Sequence, residues 1–502
     1  MPENNKAPNR RPARRRLACA SRLVCLIGVT MLGGCALNPA TDGPDLVLMS
    51  ESKEVELGRQ MHPEVLKAFP RYADEELQLY VQALGDRLAS TSHRNELEYH
   101  FTVVEDDTVN AFALPGGYIY VSRGLIAHMN SEAELAAVIG HEIGHVTARH
   151  AVRQQSRATL LNTLGSAVGV ATGVPIAGGV ANIAGGALVR GYGRALELEA
   201  DGLGAEYLAK AGYPTGAMID VIDILKQQEK FEIDRARLER REAQVSHGFF
   251  STHPDNDRRL AEVVHAAKKL GPGTPDVHHS DTFHSQVDGL EFGDSGWGGV
   301  VRDSMHYNLP YRIKFKLPDG WHTSGKPDRL LAMAPQGEAA LQVSAQPINN
   351  MRTPRYFMVR QLGLTLRDGQ EVTVAGMPAY LAIAERAESP YGRRPVRYAV
   401  IFDEGNGFAY IFSGAGENDA RGTATDNLFI PAIFSLGKLD ADDFAAAEPL
   451  AIEFILAEPG MTFASLAAES PLSAYAEQQL RLLNNQYLDG EPQPGERIKI
   501  IR

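Results

Sequence analysis

The sequence predicts an α+β protein in three parts: a mainly helical domain whose small sheet leaves one strand at its edge, a second α+β domain, and a small module at the end of the chain. Three observations predict it. Apolar residues recur at helical spacing over much of 51–155 and 195–270. Short alternating runs and a Pro-Gly-Gly turn interrupt that pattern at 99–121, and a Pro- and His-rich stretch at 271–280 separates it from a region of further alternating runs.

The chain opens on Arg10, Arg11, Arg14, Arg15, Arg16 and Arg22, then the apolar run Leu23 to Leu32, then Gly33, Gly34 and Cys35. A basic start, a short apolar core and small residues before a cut make a secretory signal, here residues 1–34. The run is about ten residues, roughly half of what a bilayer-spanning helix needs. Leu32-Gly33-Gly34-Cys35 resembles a bacterial lipobox, which implies that Cys35 becomes an acylated first residue. Cysteine usage agrees: a cut before Cys35 removes Cys19 and Cys25 and leaves one thiol in an oxidising compartment. Ala36 rather than an aspartate after it implies, by the same resemblance, sorting to the outer membrane, facing the periplasm. Residues 35–50, with Pro39, Gly43 and Pro44, read as the acylated cysteine and its tether. The signal's seven Lys/Arg and one Asp/Glu carry +6, so the rest of a chain of formal charge −12 stands at about −18, which argues against a nucleic-acid partner.

A domain over 51–270 follows. Helical patterns run from about Glu51 to Thr91, a strand from Tyr99 to Val104, and a hairpin over Val109 to Val121 that turns at Pro115-Gly116-Gly117. Ser131 with Glu134 is a capping-box pattern opening a helix from Glu132 to about Gln155. Ala158 to Val189 holds 32 residues without a charge, yet nine glycines between Gly165 and Gly193 and Pro175 break any helical stripe, so it reads as an apolar flap rather than a membrane span. Helices from about Ala195 to Lys210, Gly216 to Glu242 and Asp255 to Leu270 complete the domain. Beyond the linker, strand-like runs at Ile313 to Phe315, Leu341 to Ala345, Tyr398 to Phe402 and Phe408 to Phe412, with helical stretches near Arg355 to Leu362 and Asn427 to Leu436, indicate an α+β domain over 283–440. No catalytic constellation is visible in it. Residues 451–502 stand apart as a module.

The chemistry lies in the first domain. His141-Glu142-Ile143-Gly144-His145 sets two imidazoles at i and i+4 on one helical face, where both can point at one ion, with Glu142 beside them. Hydrolytic zinc sites take three protein ligands and keep a fourth position open, and a nearby carboxylate accepts the attacking water's proton. Glu142 suits that role. One class of such sites takes a histidine ten residues after the first, but here that position is Ala151, and Ala148 replaces that pattern's glycine. A glutamate from a second helix is the alternative, and Glu197-Leu198-Glu199-Ala200-Asp201 offers two. If Glu197 binds, Asp201 shares its face at i+4 and can accept a ligand histidine's N–H, while Glu199 points elsewhere. A solvated, ion-paired cluster is the competing reading. His150, five residues after His145, falls off the ligand face and reads as structural.

HEIGH, then ELEAD after a glycine-rich insert, with NAFALPGGYIYVSRGL before and STHPDNDRR after, resembles metallopeptidase family M48, the group of the HtpX and CAAX prenyl proteases, over roughly residues 50–270. Within it the pattern is similar to the periplasmic lipoprotein branch of the β-barrel assembly-enhancing type. The resemblance implies a gluzincin fold for the mainly helical domain, one zinc ion on His141, His145 and Glu197, Glu142 as base and Asp201 behind a ligand. It also implies that Asn110, Ala111 and Phe112, on a strand from Asn110 to Leu114, bind an extended substrate backbone. An edge strand recognises main-chain groups and so accepts unfolded chains with little sequence demand, which suggests unfolded or misassembled envelope proteins as substrates and a part in protein quality control. His253, in Ser251-Thr252-His253-Pro254, has three readings: a helix-start residue without chemistry, a fourth ligand that shuts the site, or a donor to the developing oxyanion. Because the resemblance places this loop over the metal, the shut-off role is the expectation.

Relatives of this branch carry tetratricopeptide repeats, but no 34-residue period occurs here, so their docking of partners is not carried over. Instead Pro459-Gly460-Met461-Thr462, Leu466-Ala467, Leu480-Arg481-Leu482-Leu483-Asn484 and Pro494 to Ile500 resemble a LysM module, which implies binding to peptidoglycan sugars. A plain packing module is the competing reading. Two functions follow from these residues: an active zinc endopeptidase on a lipid anchor, or a scaffold or chaperone-like lipoprotein whose site is normally closed. A complete ligand set with its base favours the enzyme.

Overall fold

The structure, a computed structural model, describes residues 35–40, 44–159, 192–238, 243, 253, 280–293, 299–302, 304–326, 329–472 and 475–502. The signal 1–34, nearly all of the apolar flap, the helix expected from Asp255 to Leu270 and all but the last residue of the linker lie outside these. Among the described residues no helix is long and apolar enough to cross a membrane.

The segment after Cys35 is not the free tether its Pro and Gly content suggests. Strand β1 (Cys35–Leu37) pairs antiparallel with β2 (Pro44–Leu46), and the hairpin lies on the body: Asp45 meets Arg153 Nε at 3.0 Å and the Leu48 amide donates to Ser156 Oγ at 3.0 Å. Polar anchors outweigh the local flexibility.

Helices α1 (Glu51–Ala68) and α2 (Glu75–Ala89) supply the first helical pattern, α2 being capped by Asp74, which accepts the Leu77 amide at 3.0 Å. Strands β3 (His100–Val104), β4 (Ala111–Leu114) and β5 (Tyr118–Ser122) form a sheet in the order β3-β5-β4. The β4–β5 turn places Gly116 and Gly117 at φ of 79° and 94°, where a side chain would be strained. A short helix, α3 (Arg123–His128), leads into α4 (Glu132–Thr147), whose sixteen residues are all buried. Ser131 accepts the Glu134 amide, whereas the Glu134 carboxylate reaches one residue further back than a capping box requires, to the Asn130 amide.

α4 crosses α5 (Arg194–Ala211) at near backbone contact. A Cβ on Gly144 would stand 2.8 Å from the Ala200 carbonyl oxygen, and one on Gly204 2.9 Å from the His141 amide nitrogen. Only glycine permits that approach, and the approach is what brings α5 carboxylates up to α4 imidazoles. Helix α6 (Ala217–Leu238) follows the left-handed cap at Gly212.

The helix expected to run unbroken to Gln155 does not. It stops at Thr147, Arg149 turns to φ +57°, and helix resumes over 150–159. Tertiary contacts hold a conformation that a non-glycine residue avoids: Arg149 donates to Glu54 at 2.7 Å and to the Met49 carbonyl at 2.9 Å, and Glu54, itself buried, also accepts Arg94 at 3.0 Å.

The second body is a seven-stranded antiparallel sheet in the order β10-β11-β12-β16-β15-β14-β13, from β10 (His322–Lys326), β11 (Arg329–Met333) and β12 (Ala339–Pro347) to β13 (Leu366–Val374), β14 (Met377–Ala387), β15 (Arg394–Asp403) and β16 (Phe408–Gly416). A smaller four-stranded sheet of β7 (Val300–Arg302), β8 (Met305–Asn308), β9 (Ile313–Lys316) and β17 (Gly437–Lys438) packs its Ile313 and Phe315 into the same core. The expected 283–440 domain loses its first residues: Phe283, Val287 and Leu290 join the core around α4, and the strand Glu291–Phe292 pairs with β18 (Leu450–Leu456). The apolar face of the Ser280–Val287 helix decides this, because its partners are in the first body.

The C-terminal module runs β18, helices Phe463–Glu469 and Ala476–Leu483, and β19 (Arg497–Ile501), with the two strands antiparallel. It does not stand apart. Ile452, Phe463, Leu480, Leu483 and Ile501 belong to the core that contains α4, and the buried Lys499 donates to the Ala127 and Met129 carbonyls at 2.7 and 2.9 Å. Burial pulls the Lys499 ammonium down from its ordinary range, and the Glu134 carboxylate opposes that pull.

Candidate metal centre

The structure brings His141, His145, Glu197 and His253 together, with one ligand atom from each lying within 4.8 Å of all the others. His141 and His145 come from one face of α4 and Glu197 from the first turn of α5. The two Nε2 atoms are 2.9 Å apart, and each lies 3.5 Å from a Glu197 oxygen. His253 Nδ1 is 3.2 Å from His141 Nε2 and 3.0 Å from Glu197 Oε2. Tetrahedral zinc with bonds of about 2.1 Å separates its ligand atoms by about 3.4 Å, so this donor set fits the ion in both spacing and kind. All four side chains are buried.

Electrostatics match ligation. Burial pushes the Glu197 carboxyl up, but His253, His145 and His141 outweigh it and hold it well below the ordinary carboxylate range. Burial likewise drives His145 well below the usual imidazole value against the pull of Glu197. Anionic carboxylate and neutral imidazole are the forms that bind a cation.

Each helical histidine is backed by a partner. Asp201 Oδ1 lies 2.8 Å from His141 Nδ1, which leaves Nε2 to face the other donors. Behind His145 stands His150, with the two Nδ1 atoms 2.8 Å apart. His150 is not among the four donors, as the sequence reading has it; what the helix pattern does not show is that the break at Arg149 turns its ring back against His145, a break no Gly or Pro signals. Glu199 points away from the four donor atoms, toward His150 Nε2 at 3.4 Å, Arg153 Nη1 at 2.9 Å and Asn38 Nδ2 at 2.8 Å. Burial raises the Glu199 carboxyl, yet His150 and Arg153 hold it down at about 2.

Glu142 is fully buried, with an oxygen 3.4 Å from His253 Nε2. Tyr192 is absent from the sequence reading: its ring stacks on His145 at 4.1 Å between centroids, and it shares a crevice with Ala113 and Leu114 of β4. An aromatic in Gly191-Tyr192-Gly193 just ahead of a helix was the available signal.

Among the described residues β4 pairs with β5 alone and lies beside α4, so one edge of it faces the site. Asn110 lies just before this strand rather than on it; its amide donates to Ser122 Oγ at 3.0 Å, its carbonyl accepts the Ser122 amide at 2.9 Å, and its side-chain oxygen has no hydrogen-bond partner among the described residues. Ala111 is buried. The Phe112 ring stacks on Tyr120 at 4.8 Å and packs near Phe69 of the α1 side, so what Phe112 offers the open edge is backbone, not ring.

Two crossed helices that present His-Glu-x-x-His opposite a glutamate, beside an edge strand, make the arrangement of the HExxH metallopeptidases. Residues 75–267 match the family described as Peptidase family M48. The chain is 29% identical over 245 residues to the Beta-barrel assembly-enhancing protease of Escherichia coli (strain K12), covering 47% of this chain and 48% of that protein. It is 28% identical over 233 residues to the Yersinia pestis protein of the same name, covering 45% and 46%. With the Mitochondrial metalloendopeptidase OMA1 of Arabidopsis thaliana it shares 39% identity over 126 residues, 25% of each chain. The alignment spans about half the length of the bacterial relatives.

Proposed function

We propose that this chain is a zinc endopeptidase of the bacterial cell envelope, acting on unfolded or misassembled envelope proteins from the periplasmic side of the outer membrane, where an acylated Cys35 holds it. One observation carries the reading: His141, His145 and Glu197 converge, with Glu142 beside them and an open strand edge alongside. Bound zinc supplies a Lewis acid to the scissile carbonyl and the attacking water. Glu142 takes the water's proton and delivers it to the leaving amine. The β4 edge holds the substrate extended through main-chain hydrogen bonds, a mode that suits unfolded chains of varied sequence. The names of the bacterial relatives support a place in envelope quality control.

The alternative, a scaffold with a closed site, draws on His253, whose Nδ1 lies among the other three donor atoms and would complete the set around a bound ion, while its Nε2 lies 3.4 Å from the base. We take that closure as the resting state of an enzyme. The LysM resemblance of residues 451–502 supports contact with peptidoglycan sugars, whereas burial of Phe463, Leu480 and Ile501 against the α4 core supports a packing role, which we favour.

Incubated with unfolded casein, the purified chain should release peptides, stop when zinc is stripped by a chelator, and resume when zinc is returned. Chelator-insensitive cleavage, or none from zinc-loaded His253→Ala, which removes the imidazole closing the site, would count against the enzyme reading. For the anchor, Cys35→Ser should abolish acylation and leave the protein unprocessed or soluble; recovery of that variant as a processed outer-membrane lipoprotein would refute it.

A further inference from the structure

His141 and His145 are supported unequally. His141 has a carboxylate directly behind it, whereas His145 reaches one only through a second imidazole. For His145 to turn the lone pair of Nε2 toward a cation, its proton must sit on Nδ1, and the atom 2.8 Å away that must accept it is His150 Nδ1. His150 then carries its own proton on Nε2, which faces Glu199 Oε2 at 3.4 Å, the longest step of the series. Glu199 is held in turn by Arg153 Nη1 and by Asn38 Nδ2 at 2.8 Å. Asn38 also donates to Asp45 at 3.1 Å, and Asp45 meets Arg153 Nε at 3.0 Å. Asn38 and His150 are both buried.

We propose that the hairpin after Cys35 is a clasp on the metal centre, with Asn38 and Glu199 acting as positioning residues that hold His145 through His150. The proposal rests on the metal reading above. A carboxylate held by two donors is fixed opposite His150 Nε2, and each donor lost leaves His150 freer to turn and His145 freer to present the wrong nitrogen. Seating of Asn38 and its hairpin thereby becomes a condition for tight metal binding.

The test is zinc affinity of the full chain, read by competition with a chromophoric chelator, together with the visible spectrum of the cobalt-substituted protein, which reports ligand geometry. Asn38→Ala and Glu199→Gln should each weaken zinc binding about 10- to 100-fold, the usual scale for such outer partners, and move the cobalt bands. Asn38→Asp, which sets a second carboxylate against Glu199, should weaken it likewise and serves if another variant folds poorly. Ser156→Ala removes a contact outside this relay, that to the Leu48 amide beyond β2, and should leave both readouts unchanged. Wild-type affinity and spectrum in the Asn38 and Glu199 variants, even with a lower unfolding temperature of the metal-free protein, would overturn the clasp and leave the metal reading standing. Failure of the wild-type chain to bind zinc would remove both.

Discussion

Glu142→Gln will keep its zinc and lose its hydrolysis of unfolded protein by about 10²- to 10⁴-fold, the range over which a positioned proton acceptor contributes. The amide has the shape of the carboxylate but cannot take the water's proton. Because Glu142 is fully buried and is not among the four converging donors, the substitution leaves the ligand set untouched. Metal analysis beside a casein digestion reads both halves. Hydrolysis near the wild-type rate would end the general-base assignment, and loss of zinc would mean that Glu142 is itself a ligand.

His253→Ala is expected to act in the opposite direction. In the structure this imidazole lies 3.2 Å from His141 Nε2, 3.0 Å from Glu197 and 3.4 Å from Glu142, so under the proposed mechanism it stands where the attacking water would and beside the group that would deprotonate it. Removing it frees both. A site that is mostly shut gains activity in proportion to the closed population it loses, and a tenfold or greater rise corresponds to about 1.4 kcal/mol or more of closed-state preference. Initial rates on an unfolded substrate at saturating zinc decide the matter. A fall of about a hundredfold would make His253 an oxyanion donor instead, and an unchanged rate would leave it without chemistry.

The parts of this site that were legible in the sequence are those fixed by local geometry. The i, i+4 spacing of His141 and His145, and of Glu197 and Asp201, needs nothing but a helix to become a common face. The parts that were not legible depend on contacts between distant segments. Arg149 takes a left-handed conformation because Glu54 and Met49 hold its side chain, and only that turn brings His150 behind His145. The paired strands 35–37 and 44–46 look like a tether from their own residues, and their surroundings are fixed by Arg153 and Glu199. In the second body the central strands β12, β15 and β16 carried runs strong enough to read, whereas β13, an edge strand with mostly exposed residues, carried no alternation.

Synthesis order gives the C-terminal strand another meaning. Lys499 reaches back 372 residues to the carbonyl of Ala127, and Phe463, Leu480 and Ile501 close the core in which α4 lies. A ribosome that has just produced α4 must still make all of the intervening chain before that core can be sealed, and contacts this distant in sequence form late. The peptidase body is thus assembled on a delay: the helix bearing the histidines exists early, but its packed surroundings are finished only when the last strand arrives.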